Sequence, residues 1–167
     1  MPKSFAFWNR KLHRYASIVI ALPLLIVIGS GMLLMLKKEA DWIQPPTLRG
    51  EKGDPSISFG QILEQAAAAD GAGISGWDDV DRLDVRPSRS LVKVKAHSGM
   101  EVQIDTTTGE VLQVMRRRSD LIESIHDGSW FHEKAKLWFF LPCAAVLLFL
   151  WFSGLYVWLQ PKLKRRG

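Results

Sequence analysis

At 167 residues, 47% of them hydrophobic, the chain has room for one modest domain once membrane segments are set apart. The net charge of +5 comes from 22 basic against 17 acidic residues. Its excess of positive charge lies at the two ends, which argues for contact with anionic lipid and gives no case for nucleic acid. A single cysteine, Cys143, excludes an intrachain disulfide, a CxxC redox centre and covalent c-type haem.

Residues 1–14 form a basic tail carrying Lys3, Arg10, Lys11 and Arg14, and residues 15–36 that follow hold no charge. About 20 apolar residues cross a hydrocarbon core of roughly 30 Å as a helix, so this run is a first span. It outlasts the roughly 7–15-residue core of a signal peptide, and "LMLKKEADW" offers no small-x-small cleavage site, which makes it a retained anchor. Residues 137–160 are a second uncharged span, and residues 161–167 a second basic tail with Lys162, Lys164, Arg165 and Arg166. All 17 acids lie between Glu39 and Glu133. Positive flanks stay cytoplasmic, so both termini are expected inside and residues 37–136 exported. In a bacterium this is a two-pass inner-membrane protein with a periplasmic loop.

Within the loop, residues 37–56 mix charge, Pro and Gly and read as a linker, with Trp42 at the membrane interface. Residues 57–118 form the exported domain. Ser58 caps a helix on which Ile62, Leu63, Ala66 and Ala69 recur before Gly71 and Gly73 stop it. The period then changes to two: "DRLDVRP", "LVKVKA", "MEVQID" and "TTTGEVLQV" read as three or four antiparallel strands. Leu83, Val85, Leu91, Val102 and Ile104 are the expected core, with the sheet's other face polar and solvated. The fold class is therefore membrane α+β, with two transmembrane helices flanking a small helix-plus-antiparallel-sheet unit.

"VQIDTTTGEVLQV" resembles the closing hairpin of PepSY domains. "LHRYASIVIALPLLIVIGSG" resembles the first span of the PepSY-associated transmembrane family, with its histidine just before the helix. "LIESIHDGSWF" and "FSGLYVWLQP" resemble that family's second half, a His-x-Gly segment leading to a span that closes on Ser/Thr-Gly-Leu-Tyr-x-Trp. Many members have four spans, whereas this chain has two. The family includes inner-membrane reductases of ferric siderophores that hold b-type haems on histidines. PepSY domains elsewhere resemble inhibitory propeptide modules of peptidases.

That resemblance gives the histidines a use. His13 stands at the start of the first span, and His126 and His132 lie in residues 119–136, the segment leading into the second. Histidines at both faces are what electron transfer through two b-type haems requires, and Asp127 is a candidate to orient an imidazole. The plain alternative is that these histidines only bridge the headgroup region. Six helical residues rotate about 240°, so His126 and His132 cannot share a helix face, and Gly128 is expected to mark a helix start between them. Met32 and Met35 are alternative sixth ligands or ordinary helix contacts. A homodimer would pair His13 with its symmetry mate. His97, in "KAHSG", belongs to a turn between strands. Gly29, Ser30 and Gly31, with Ser153 and Gly154 in the second span, allow close helix approach or room for a macrocycle. Pro23 and Pro142 are expected to kink their spans. Arg116, Arg117 and Arg118 are either a solvated run or a patch for an anionic iron chelate or acidic partner.

Three functions follow. The first is a b-haem electron-transfer protein, with ferric-chelate reductase as the enzymatic form. The second is a non-catalytic accessory or assembly subunit of a larger membrane complex, and the third a peptidase-modulating PepSY module.

Overall fold

The computed structural model describes residues 5–164, with side chains placed from Phe7 to Gln160. Lys3, Arg165 and Arg166 of the basic tails lie outside the described residues, as do the side chains of Lys162 and Lys164. The chain divides into two compact units. One comprises residues 1–33 and 121–167, the other residues 34–120.

In the first unit, helix α1 (Phe5–Met35) starts within the basic segment and continues through Pro23. Helix α4 (Leu141–Lys164) is preceded by a π-helical turn at Lys136–Phe140. Pro142 has no N–H to give the carbonyl four residues back, and the wider turn just before it accommodates that loss. The stretches Phe7–Met35 and Lys136–Gln160 are long and apolar enough to cross a membrane. Most of their large side chains face outward, among them Ile18, Val19, Leu22, Leu25, Trp138, Leu148 and Trp151. Helix α3 (Ser119–Asp127) begins in the second unit and ends in the first. Gly128, at φ +83°, follows its last residue. The expectation of a helix start at Gly128 is therefore corrected: the left-handed backbone that glycine tolerates ends α3, and His126 sits in its last turn. A Cβ at Gly128 would overlap the Phe140 ring.

The second unit is a four-stranded antiparallel meander, β1 (Val80–Arg86), β2 (Leu91–Ala96), β3 (Met100–Asp105) and β4 (Val111–Arg116), in sequential order. Helix α2 (Phe59–Ala68) covers one face. Its first turn is a capping box: the Ser58 side chain accepts from the Gln61 N–H, and the Gln61 side chain accepts from the Ser58 N–H. Ile62 and Ala66 pack on Val92, Val94, Val102 and Ile104, closed by Ala72 and Ile74.

Two expectations about the sheet are corrected. Val85 remains 46% exposed on an edge strand, and Leu91, though buried, sits out of phase with the core positions Val92 and Val94. The second face is also not solvated, since Lys93, Glu101, Gln103 and Asp105 are all buried. Residues 43–51 cover part of it. Gln103 donates to the Pro46 carbonyl and accepts from the Leu48 N–H, while Asp105 accepts from the Glu51 N–H. Ile43 is buried too, and its carbonyl accepts from the N–H groups of Arg118 and Ser119.

Candidate functional site

In the first unit, each of the two spanning stretches presents a serine beside a glycine, and each Ser-Gly pair receives a histidine. His13 of α1 meets Ser153 of α4, Nδ1 to Oγ, at 2.6 Å. Ser153 Oγ also lies 3.2 Å from the Leu150 carbonyl, so its hydroxyl has an acceptor of its own when the His13 proton sits on Nδ1. A Cβ at Gly154 would stand 3.4 Å from His13 Cε1, and glycine leaves that ring an open seat.

The other end repeats the arrangement, with the serine on α1 and the histidine on α3. His126 Nδ1 lies 3.1 Å from Ser30 Oγ and 3.1 Å from the Val27 carbonyl. Ser30 donates to the Ile26 carbonyl at 2.6 Å. A carbonyl only accepts, so at His126 Nδ1 carries the proton and Nε2 keeps its lone pair. A Cβ at Gly31 would come within 3.3 Å of His126 Cε1. Gly29 has no such neighbour. His13 and Ser30 are 17 residues apart on α1, which at 1.5 Å per residue is about 26 Å. Both imidazoles are half-buried. The His126 clamp thus offers an Nε2 lone pair that could ligate iron or accept a hydrogen bond, and the His13 clamp offers one when its proton sits on Nδ1.

Asp127 does not touch His126. Its Oδ1 accepts from the Ser129 N–H and hydroxyl, and its Oδ2 from Lys136 Nζ at 2.8 Å. The Lys136 ammonium and Ser129 hold its carboxyl down at about 2, against a small upward push from burial. This carboxylate fastens the loop after α3 to the start of the second span. His132 is exposed, and its Nδ1 accepts from the Lys134 N–H, which places its proton on Nε2. Its donor pattern is therefore opposite to that of His126. Met32 and Met35 are exposed on α1.

The space between the spans is apolar. A cavity of about 70 Å³ lies among Ile20, Pro23, Val27, Phe140 and Ala144, and a groove of about 480 Å³ among Val19, Leu22, Ile26, Phe131 and Phe139. No histidine lines either one. Donor chemistry at His13 and His126 fits axial ligation of a haem. Neither of these spaces would place a macrocycle on His13 or His126, and the glycine notches are filled by the imidazoles themselves.

In the second unit, His97 is exposed in the turn between β2 and β3. Arg116, Arg117 and Arg118 do not act as one patch. Arg117 turns inward to Glu101 at 3.1 Å and Asp120 at 2.7 Å, while Arg118 donates to the Trp42 carbonyl and Arg116 is exposed. Beneath them Lys93 and Glu101 form a fully buried ion pair at 2.9 Å. The alternating pattern of β2 had read Lys93 as a solvated residue. The only sequence signal for its burial is the Pro-rich stretch that crosses the sheet. No three His, Cys, Asp or Glu side chains converge among the described residues.

A family model described as "PepSY-associated TM region" matches residues 10–167. No curated protein and no solved structure matches the chain.

Proposed function

The chain belongs to the PepSY-associated transmembrane family, a membrane protein family, and from that premise we propose that it is a small b-haem electron-transfer protein. The observation that carries the reading is the pair of Nδ1 contacts that orient His13 and His126. His126 gives its Nδ1 proton to the Val27 carbonyl of α1 and keeps Nε2 as a lone pair, and His13 does the same when Ser153 accepts from its Nδ1. A haem iron takes that form of histidine as an axial ligand, and a hydrogen bond at Nδ1 fixes the ring's orientation and raises its basicity.

Because no histidine lines either space described between one chain's spans, the haem would lie on the outer flank of each clamp, closed by a second copy or another subunit. Two spans from each of two copies would supply the four found in many relatives. Bound there, the iron would supply one-electron redox chemistry. The protein would contribute the ligand, its orientation and an apolar surround. With the orientation argued from charge, His13 stands at the cytoplasmic face and His126 at the exported face, and a ferric chelate outside is one candidate acceptor.

A specific observation favours a second reading, a non-catalytic accessory subunit. The imidazoles already have a task as helix clamps, seated on Gly31 and Gly154.

Absorption spectra of the full chain, purified in detergent from cells supplied with haem, separate the two. Low-spin b-type bands that sharpen on dithionite reduction and fall in His126→Ala and His13→Ala are expected. A colourless, folded protein would overturn the electron-transfer reading and leave the accessory one.

A further inference from the structure

The second unit contains a pocket of about 580 Å³ whose charged lining residues are all cationic: Lys37, Lys38, Arg86, Arg89 and Arg117. Two of these are already balanced, Arg86 by Asp84 at 2.8 Å and Arg117 by Glu101 and Asp120. Lys38 and Arg89 are exposed, and neither is in an ion pair among the described residues. Arg89 is nevertheless held in place, since its NH1 donates to the Thr47 carbonyl. A guanidinium and an ammonium that share one concavity, with Arg86 and Arg117 already paired, leave a net positive seat for one anion.

Position along the chain indicates which anion reaches it. The first spanning stretch ends at Met35, so Lys38 follows by three residues. At about 3.6 Å per extended residue, its Cα lies within about 11 Å of the end of the span. The headgroup layer on one side of a bilayer is roughly 5–8 Å deep. Lys38 is thus tethered to the depth of lipid phosphates, whatever the second unit does.

We propose that this pocket binds a phosphate-bearing anion, and that the headgroup of an anionic phospholipid supplies it. The site rests on the membrane placement of the spans and is independent of haem. Arg89 would offer a fork of N–H donors to two phosphate oxygens, and Lys38 a point charge to the same group. A lipid held there would fix residues 37–47 against the membrane surface.

The test uses the full chain in detergent micelles and two phosphate sources. Retention of phosphatidylglycerol over phosphatidylcholine is measured by native mass spectrometry, and inorganic phosphate is titrated separately by thermal shift. The variant is the double substitution K38Q/R89Q. Its control, R49Q/R116Q, removes the same charge from exposed sites that do not line the pocket. Wild type and control should prefer phosphatidylglycerol, and K38Q/R89Q should lose that preference by roughly tenfold. K38R/R89K should largely restore it, which separates lost charge from misfolding. A phosphate-dependent shift lost in K38Q/R89Q, without lipid preference, would keep the site and assign it to soluble phosphate. Equal lipid retention in K38Q/R89Q and wild type, with no phosphate response, would overturn the proposal.

Discussion

Asp105 closes β3 with its carboxylate buried and with three backbone donors on it. Oδ1 accepts from the N–H groups of Thr107 and Thr108, and Oδ2 from that of Glu51. Burial alone would raise its pKa, but these hydrogen bonds outweigh it, and the carboxyl is held below the usual range. Asp105→Asn replaces one acceptor oxygen with an amide donor, so either Glu51 or a threonine N–H loses its partner. A cost of about 1–3 kcal/mol at neutral pH is expected from a denaturant midpoint of the full chain. The sign of the pH effect follows from linkage. A depressed folded pKa means that the unfolded chain binds the proton first, at about 3.9. The carboxylate's contribution is thus complete well above that value and fades as pH falls through the folded pKa. The Asn variant should show a shallower acid limb below about pH 4. If the two acid limbs coincide, Asp105 is not the group titrating. Half of this arrangement was legible. "IDTTTG" reads as an Asp that accepts from the turn after it, closed by Gly109 at φ +81°. The contact to Glu51 lies 54 residues upstream, and no local period encodes it.

The elements of the loop domain could be read from two rules, a capped helix of period 3.6 and strands of period two. Helix α2 begins after Ser58, and all four strands fall where the alternation placed them. Their facing was harder to read, because "LVKVKA" alternates equally well with either set inward. Leu91 and Lys93 share one phase, Val92 and Val94 the other, and the buried Lys93–Glu101 pair shows that both faces are covered. What decides the phase is tertiary: α2 offers only apolar partners, while residues 43–51 offer carbonyls and N–H groups to Gln103 and Asp105. A sequence pattern reports which residues alternate, not which partner arrives. Two substitutions separate these layers. Ile104→Ala removes a fully buried side chain from the α2 face and should cost about 2–5 kcal/mol. Val85→Ala, on an exposed edge, should stay below about 1 kcal/mol. Comparable losses from both, measured as denaturant midpoints of the full chain, would contradict the packing described here.

For the molecule as a whole, two apolar helices and the family match make a membrane protein, and orientation then rests on charge. The loop of residues 37–136 exceeds the roughly 60 residues over which a loop's own Lys and Arg count towards topology, so its 14 cations weigh little. The short tails count fully, and all eight of their charges are positive. Retaining both tails in the cytoplasm places the same face of the membrane at each end of the chain, as an even number of spans requires. Alkaline phosphatase, active only outside the cytoplasm, should therefore be active when fused after Gly109 and inactive when fused after Gly167. Neutralising Arg10, Lys11 and Arg14 removes three of the first tail's four positive charges. That variant should raise the activity of the fusion after Gly167 and lower that of the fusion after Gly109. If the unmodified chain gives the opposite pattern, His13 rather than His126 faces outward, and any electron path between them runs the other way.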